Sequence, residues 1–347
     1  MIPVSVITGF LGSGKTTLLA RLMRDPSMGR TAVIINEFGA IALDHDLIET
    51  SEESFIQLSN GCLCCNVRSD LTRTLADMAA RRALGTLPPF ERVVIETSGL
   101  ADPAPILHAL MTDRDLNGVY ALDGVITTVD ALLGSTTLDQ HEESRRQAAV
   151  ADRIVITKTD IDGVRTDAIK KRLAIINPGA QIVEAASGDV SASVLFDCGF
   201  YDVTGKHPDV GAWLAHNDND SAHEHHSHAS HAHTGDITSF CIVREVPLHA
   251  VTLTLLLSAL AENCGSDLLR MKGIVNVREN PQRPAVIHGV QHVYHAPVWL
   301  PRWPSADRRT RLVFIGRNVR ESWVRTLIDL LDAEVAAETV KHSRATA

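Results

Sequence analysis

The sequence predicts an α/β protein, in which a mostly parallel sheet flanked by helices is followed by a smaller α+β domain. Short apolar runs alternate with helical stretches along the first part of the chain, an order typical of parallel strands joined by helical crossovers. These runs are continuously apolar, which indicates strands buried on both faces of the sheet. The alternation stops near residue 205, and this change predicts a domain boundary.

The individual elements follow from the same patterns. Five apolar runs predict strands at residues 4–8, 32–35, 93–95, 125–129 and 154–156. Helices are predicted between several of them, at residues 16–23, 71–83 and 142–151. The second domain carries predicted strands at 237–246, 273–277 and 312–315 and predicted helices at 248–262 and 320–337. We therefore predict a first domain over residues 1–205, a flexible linker over 206–235 and a second domain over 236–347.

The bulk composition excludes several classes of protein. The 347 residues suffice for two domains with a core in each. A formal net charge of −9 argues against a nucleic-acid binder, which usually carries a basic face. No apolar run reaches the roughly 18–20 residues of a membrane span, and the first residues lack the cationic head of a signal peptide. We therefore expect a cytoplasmic protein that binds neither nucleic acid nor membrane, in which cysteines serve as thiols or metal ligands rather than disulfides.

A glycine-rich motif follows the first predicted strand and opens the first helix. Residues 9–16 read G-F-L-G-S-G-K-T, which fits G-x-x-x-x-G-K-[ST] at every fixed position and indicates the P-loop NTPase fold. In such a loop glycines turn backbone N–H groups toward phosphates, while the helix N-terminus favours the same anion. Lys15 is expected to reach the outer phosphates and Thr16 to ligate Mg²⁺. The full predicted phosphate site is Gly9, Gly12, Ser13, Gly14, Lys15, Thr16 and Thr17.

A second motif at the end of the fifth predicted strand indicates which base is bound. Thr157-Lys158-Thr159-Asp160 resembles the N-K-x-D motif of GTPases. An aspartate here accepts two hydrogen bonds from guanine, which adenine cannot supply, and the lysine stem can cover one face of the base. The first position is usually asparagine; here it is Thr157, whose hydroxyl can make some of the same local bonds. The alternative interpretation is a solvated turn at the strand end.

Taken together, the motifs resemble the CobW-type GTPases, a branch of the P-loop metallochaperones. The resemblance rests on the P-loop and on N-E-F-G at 36–39, G-C-L-C-C at 61–65, E-T-S-G-L-A-D-P at 96–103, R-M-K-G-I at 270–274 and L-V-F-I-G-R at 312–317. It implies an N-terminal GTPase domain, a C-terminal CobW-type domain and the delivery of a metal such as zinc or cobalt to a client metalloprotein. Ala40 departs from the family, which often has a second glutamate there, and Thr157 is the other departure.

Three clustered cysteines are the candidate site for the delivered metal. Cys62, Cys64 and Cys65 are thiolate ligands suited to Zn²⁺, with Co²⁺ as the alternative. Cys62 and Cys64 point the same way in an extended segment, so both can approach one ion. Three thiolates leave one tetrahedral position for water, Glu37 or a ligand of the partner, which suits a carrier that must release its ion. The alternatives are a redox pair and buried small side chains.

The predicted linker carries a second candidate for metal binding. Its histidines include His216, His223, His225, His226, His228, His231 and His233. Neutral imidazoles coordinate Zn²⁺, Co²⁺, Ni²⁺ and Cu²⁺, so a flexible strip of them can capture an ion weakly and pass it on. A solvated low-complexity tether is the alternative.

Catalysis by such a protein requires positioning and charge compensation more than covalent chemistry. The candidate catalytic residues are Lys15, Glu96 and Glu37, where Glu96 can hold Mg²⁺ through water or orient the attacking water. Gly99 is expected to place a backbone N–H near the γ-phosphate. Simple capping of strand ends is the alternative for both acids, and Asp44 and Asp130 are weaker candidates for the Mg²⁺ shell.

The function expected from these features is GTP binding and hydrolysis to GDP, with Mg²⁺ as cofactor, coupled to transfer of a transition metal. Two other functions fit part of the pattern. A P-loop ATPase or small-molecule kinase would prefer adenine and need no thiolates. A nucleotide-binding metal buffer would show no significant turnover. Oligomeric state is open, and a homo-oligomer is possible.

Overall fold

The computed structural model describes residues 1–36, 55–57, 67–186, 190–196 and 237–345. The chain divides into two compact units, Met1–Tyr201 and Asp202–Ala347. The predicted linker over residues 206–235 lies outside the described residues, so its bounds stay a prediction.

Seven parallel strands form the sheet of the first unit. They are β1 (Ile2–Gly9), β2 (Thr31–Asn36), β3 (Phe55–Gln57), β4 (Arg92–Thr97), β5 (Tyr120–Asp130), β6 (Arg153–Thr157) and β7 (Gln181–Glu184). Their order across the sheet is β3-β2-β4-β1-β5-β6-β7, and every neighbouring pair is parallel. The predicted parallel sheet is therefore confirmed, and the carboxyl ends of β1, β4, β5 and β6 meet at one edge.

Helices lie on both faces of this sheet. They are α1 (Lys15–Leu22), α2 (Val67–Ala83), α3 (Ala104–Thr112), α4 (Gly134–Gln140), α5 (Glu142–Val150), α6 (Asp167–Ile176) and α7 (Ala192–Leu195). Ile126 of β5 packs in one core cluster with Leu19 of α1. The neighbouring Thr127 points to the opposite face, because side chains alternate along a strand, and its hydroxyl donates to the carbonyl of Gln147 in α5 at 2.8 Å.

Strand β5 is longer than its sequence predicts, since the apolar run covers only residues 125–129. Asp123 lies just before that run but is buried within the strand. Its carboxylate accepts hydrogen bonds from Ser5 at 2.7 Å and from Arg92 at 3.2 Å, and such partners offset the desolvation of a buried charge. The buried polar pairing thus extends β5 through a position that hydropathy alone marks as a break.

The second unit is an α+β domain, as predicted. Its strands are β8 (Ile237–Arg244), β9 (Leu268–Val275), β10 (Ala285–Val290), β11 (Val293–Tyr294), β12 (Val298–Trp299) and β13 (Thr310–Arg317), with helices α8 (Ala250–Cys264) and α9 (Glu321–Ala345). The strands pair antiparallel in the order β11-β10-β9-β13-β8, and β12 pairs with β10. Leu256 of α8, Val324 of α9 and Phe314 of β13 share one buried cluster, so both helices contribute to the core on one side of the sheet.

The described helices include no candidate membrane span. None of them combines the length and the apolar character that a bilayer span requires.

Candidate functional site

The glycine-rich loop joins β1 to α1 at the carboxyl edge of the sheet. Gly9, Gly12 and Gly14 adopt φ angles of +143°, +72° and +89°, which other residues rarely adopt. Ser13 N–H donates to the Phe10 carbonyl at 3.1 Å and closes the turn. Helix α1 begins at Lys15, so its first N–H groups lie beside the loop and can bind an anion there.

Gly9 is packed against β5 so closely that no side chain fits. A Cβ at Gly9 would lie 2.3 Å from Thr128 Oγ1 and 2.5 Å from the Thr128 carbonyl oxygen. The hydroxyls of Ser13 and Thr128 are 2.6 Å apart and form a buried hydrogen bond. On the exposed side the Phe10 ring stacks on His141 at 4.4 Å. The loop is therefore held from beneath by β5 and from one side by the start of α5.

Lys15 is folded over the loop that precedes it. Its Nζ donates to the carbonyls of Gly9 at 3.0 Å and Phe10 at 3.2 Å, and its side chain is buried. An ammonium in this position can exchange carbonyl oxygens for phosphate oxygens without leaving the loop. Thr17, which was also predicted to bind nucleotide, lies in the first turn of α1 and is exposed.

Thr16 and Glu96 are brought together from different parts of the sequence. Thr16 Oγ1 donates to Glu96 Oε1 at 2.7 Å. Glu96 is only 4% exposed and stands one residue before the end of β4. A hydroxyl and a carboxylate are hard oxygen donors of the kind that Mg²⁺ prefers, usually with several waters retained. The donor set therefore fits Mg²⁺ beside the phosphate loop.

The segment that follows Glu96 is fixed by a residue that carries no sequence motif. A Cβ at Gly99 would lie 2.8 Å from the backbone N and Cα of Leu11, so Gly99 is in contact with the phosphate loop. Gln147 of α5 is fully buried, and its Nε2 donates to the carbonyls of Gly99 at 3.2 Å and Ala101 at 3.1 Å. The part played by Gln147 depends on where α5 packs relative to the Gly99 segment. A single sequence does not reveal that packing.

The end of β6 carries the candidate base-reading residues. Thr157 Oγ1 donates to the Ser13 carbonyl of the phosphate loop at 2.7 Å and lies 3.3 Å from the Val129 carbonyl oxygen. Lys158 has a φ of +58°, which is uncommon for a non-glycine residue. Asp160 follows in the turn and is exposed, as a residue that accepts bonds from a ligand must be. Thr157 thus ties the candidate base-reading segment to the phosphate loop.

Asp130, a weaker candidate for the Mg²⁺ shell, is engaged elsewhere. Its Oδ2 accepts a hydrogen bond from Lys158 Nζ at 2.6 Å, and its Oδ1 accepts the N–H groups of Leu132 and Leu133. Burial acts to raise the pKa of Asp130, but these hydrogen bonds and the Lys158 charge outweigh it and lower the pKa below its usual range. The structure therefore places Asp130 beside the candidate base-reading residues, and its place in the Mg²⁺ shell stays a prediction.

The Thr157 hydroxyl provides a direct test of this link. We expect Thr157→Val to weaken GDP binding about fivefold to tenfold, because a hydrogen bond contributes on the order of 1 kcal/mol. Thr157→Asn should bind GDP normally, since an amide N–H can donate to the same carbonyl. Fluorescence titration of each variant with labelled GDP measures the effect.

A matched control lies at the opposite edge of the sheet. Thr86, between α2 and β4, donates its exposed hydroxyl to the Arg81 carbonyl at 3.2 Å. Thr86→Val should leave GDP affinity unchanged. If Thr157→Val binds GDP as tightly as Thr86→Val, the hydroxyl does not support nucleotide binding.

Several predicted site residues lie outside the described residues. They are Glu37, Ala40, Asp44, the cysteines Cys62, Cys64 and Cys65, and the histidines His216, His223, His225, His226, His228, His231 and His233. Within the described part of the chain no group of three or more His, Cys, Asp or Glu side chains is arranged to hold a metal ion. The two cysteines described there, Cys241 and Cys264, form no disulfide. The predicted transition-metal site therefore stays a prediction.

Two family models match the chain, one in each unit. Residues 3–184 match the model described as CobW/HypB/UreG, nucleotide-binding domain. Residues 237–331 match the cobalamin synthesis protein CobW C-terminal domain. Both matches agree with the bounds of the two sheets.

Individual proteins and structures are similar over nearly the whole chain. The zinc chaperone YjiA of Escherichia coli is 32% identical over 324 residues, which are 93% of this chain and 96% of that protein. The crystal structure of Zn(II)-bound YjiA GTPase from E. coli superposes with a TM-score of 0.68 at 28% identity, covering 95% of this chain and 98% of that one. A Zn(II)-bound triple mutant of YjiA GTPase, with one glutamate and two cysteines changed to alanine, superposes with a TM-score of 0.69 at 28% identity and the same coverage. With a family model on each unit and relatives that span both, the chain belongs to the CobW family of P-loop GTPases.

Proposed function

We propose that this chain is a GTP-hydrolysing metallochaperone that carries a transition metal, zinc first, to a client metalloprotein. The observation that carries the proposal is the contact between Thr16 and Glu96, which unites a phosphate loop and a buried acid at the edge where P-loop proteins bind nucleotide. Membership of the CobW family and similarity to a protein named zinc chaperone YjiA support zinc as the metal that is carried. The first domain acts as the GTPase and the second as the region that meets the client.

The nucleotide is bound by residues that follow three strand ends, those of β1, β4 and β6. Gly9, Gly12, Ser13, Gly14, Lys15, Thr16 and Thr17 surround the phosphates, Gly99 approaches the γ-phosphate, and Thr157, Lys158 and Asp160 bind the guanine end. The exposed Asp160 carboxylate accepts the two guanine N–H groups, and the Lys158 stem covers the base. The short hydrogen bond between Thr157 and the Ser13 carbonyl keeps both ends of this site in register.

Hydrolysis depends on charges fixed before the nucleotide arrives. Lys15 exchanges its bonds to loop carbonyls for bonds to phosphate oxygens. Thr16 and Glu96 would hold Mg²⁺, which would neutralise part of the phosphate charge when bound. The buried Glu96 carboxyl is held beside the phosphate loop by Thr16, so it can orient the attacking water at little reorganisation cost. Glu37 is the second candidate acid.

Cys62, Cys64 and Cys65 hold the cargo ion, and the fourth position is left for water, Glu37 or a client ligand. Zinc suits these thiolates, with cobalt as the alternative. GTP binding assembles this thiolate site, and hydrolysis takes it apart so that the ion is released. The linker histidines His223, His225, His226, His228, His231 and His233 capture metal weakly and feed the cysteines.

The cellular setting follows from the chemistry of the thiolates. They require a reducing compartment, so we place the protein in the cytoplasm, working on a protein client and not on nucleic acid or membrane. Assembly into a homo-oligomer is compatible with this role.

A zinc-affinity measurement tests the proposal. Competition with a chromogenic chelator gives the Zn²⁺ affinity of the protein with a GTP analogue, with GDP and without nucleotide. We expect one tight site whose affinity falls at least tenfold when GDP replaces the analogue, because the proposed mechanism takes the thiolate site apart after hydrolysis. A variant that combines three substitutions should lack that site: Cys62→Ser, Cys64→Ser and Cys65→Ser.

The control and the number of sites decide the interpretation. Cys241→Ser combined with Cys264→Ser removes two half-buried thiols of the second unit and should change nothing. Zinc is also bound in the YjiA variant that lacks two cysteines, so secondary sites must be counted by stoichiometry. Equal Zn²⁺ affinity with the GTP analogue and with GDP would show that metal binding is not coupled to hydrolysis. Equal Zn²⁺ affinity in the variant without Cys62, Cys64 and Cys65 would assign metal binding to the linker histidines instead.

Base preference and turnover separate the two other functions. Turnover of ATP in preference to GTP would indicate an ATPase or small-molecule kinase. Tight nucleotide binding without phosphate release, at any metal concentration, would indicate a metal buffer that uses nucleotide only as a ligand.

A further inference from the structure

Asp130 and Lys158 form a bridge between two neighbouring strand ends. Asp130 is the last residue of β5, and its register partner on β6 is Thr157. Lys158 follows immediately, and its Nζ lies 2.6 Å from Asp130 Oδ2. The bridge therefore spans the gap between β5 and β6 where the base-reading turn leaves the sheet.

The two oxygens of Asp130 have separate partners. Oδ1 accepts the N–H of Leu132 at 2.7 Å and that of Leu133 at 3.1 Å. The carboxylate is therefore fixed by its own backbone before it meets the lysine, and its side chain is only 9% exposed. A fixed, mostly buried acid restrains a long lysine far better than a mobile surface acid does, because only one partner loses rotamer freedom.

Lys158 in turn controls the segment that carries Asp160. Its left-handed backbone conformation costs on the order of 1 kcal/mol for a residue with a side chain. The N–H of Ile161 lies 3.4 Å from the Lys158 carbonyl and closes the turn around Asp160. A contact that holds the Lys158 side chain also opposes relaxation of this strained backbone, so it preserves the direction in which Asp160 points.

We propose that Asp130 is a positioning residue for guanine selection: by binding Lys158 Nζ it holds the lysine stem along the base plane and keeps the Lys158–Asp160 turn in its base-reading conformation. This inference rests on the proposed function, in which that turn reads guanine. The competing explanation is that Asp130 only caps the loop that leads into α4, through the Leu132 and Leu133 N–H groups.

The separate roles of the two oxygens allow the explanations to be distinguished. Asp130→Asn keeps a carbonyl oxygen for the Leu132 and Leu133 N–H groups and removes the charge that Lys158 meets. Lys158→Met keeps most of the stem and removes the ammonium. The exposed pair of Asp139 and Arg172 provides the matched control, Asp139→Asn, at an ion pair between α4 and α6.

Steady-state hydrolysis of GTP and of ATP by the full chain measures the effect. For Asp130→Asn we expect the KM for GTP to rise about tenfold with kcat within twofold of wild type, since Lys15, Thr16 and Glu96 are untouched. The KM for ATP should rise by no more than about twofold, because the lysine stem covers either base but only guanine also meets Asp160, so selectivity for GTP over ATP falls about fivefold or more. Lys158→Met should change the KM for GTP and the selectivity by similar factors. The double variant should lose no more selectivity than either single variant. Asp139→Asn should match wild type.

Each other outcome has a definite meaning. A lower melting temperature or lower kcat in Asp130→Asn, with selectivity unchanged, would assign Asp130 to the loop alone and overturn the proposal. Additive losses in the double variant would also overturn it, because the two residues would then act independently. A wild-type protein with no preference for GTP would instead contradict base reading by the turn, and with it the proposed function.

Discussion

Glu96→Gln is expected to lower kcat for GTP hydrolysis by about 10²–10³ while the protein still folds and binds nucleotide. A glutamine oxygen can accept the Thr16 hydroxyl as Glu96 Oε1 does now at 2.7 Å, so the local packing survives. The negative charge beside the phosphate loop is lost, and removing one preorganised electrostatic group typically costs a factor of this size. Single-turnover hydrolysis at saturating GTP, with Mg²⁺ varied, measures kcat and the Mg²⁺ requirement separately.

The same substitution at the other end of the strand is the control. Glu91 precedes β4 and pairs with Arg30 on the surface at 2.6 Å, where exposed ion pairs contribute little. Glu91→Gln should hydrolyse GTP like wild type. If Glu96→Gln also does so, Glu96 only caps its strand and the catalytic acid must be sought elsewhere, with Glu37 first.

The parallel sheet could be predicted from the sequence because hydropathy reports burial on both faces directly. Strands β1, β2, β4 and β6 each contain the apolar run that predicted them. Edge strand β7 was not predicted, since its residues are only partly buried and mix polar with apolar types. Strand β5 was predicted too short because Asp123 reads as a break, although Ser5 and Arg92 satisfy its carboxylate within the sheet. Polar residues that are paired across strands are thus where hydropathy fails.

The candidate site was also predicted only in part, and the missed contacts are again those between distant segments. Local motifs predicted the glycine loop and made Thr16 and Glu96 each a candidate to hold Mg²⁺. The structure brings the two together although 80 residues separate them. The contacts of Gln147 with Gly99 and of Asp130 with Lys158 were not predicted. They depend on helix placement and on strand register, which no single segment encodes. Asp130 is an example: the sequence makes it a weaker candidate for the Mg²⁺ shell, and only the structure shows that it bonds Lys158 of the neighbouring strand end.

Gly9→Ala is expected to weaken GDP binding at least about 100-fold. The new Cβ would lie 2.3 Å from Thr128 Oγ1, 2.5 Å from the Thr128 carbonyl oxygen and 2.7 Å from Ser13 Oγ. The φ of +143° adds strain, of the order of 1–3 kcal/mol. Because the carbonyl belongs to the backbone of β5, the loop must move instead, and the phosphate-binding N–H groups move with it. Titration with labelled GDP measures the loss, and thermal unfolding confirms that the variant is folded.

Two further variants separate crowding from backbone strain. Gly12→Ala meets nothing within 4 Å and has a φ of +72°, so it carries strain alone, and we expect a loss of only about tenfold. Thr128→Ala in the Gly9→Ala background removes the hydroxyl contact but keeps the carbonyl, so rescue should be partial. Equal losses in Gly9→Ala and Gly12→Ala would show that the fit against β5 is irrelevant to binding. Complete rescue by Thr128→Ala would assign the whole effect to the hydroxyl and would leave the β5 backbone without a part in shaping the phosphate loop.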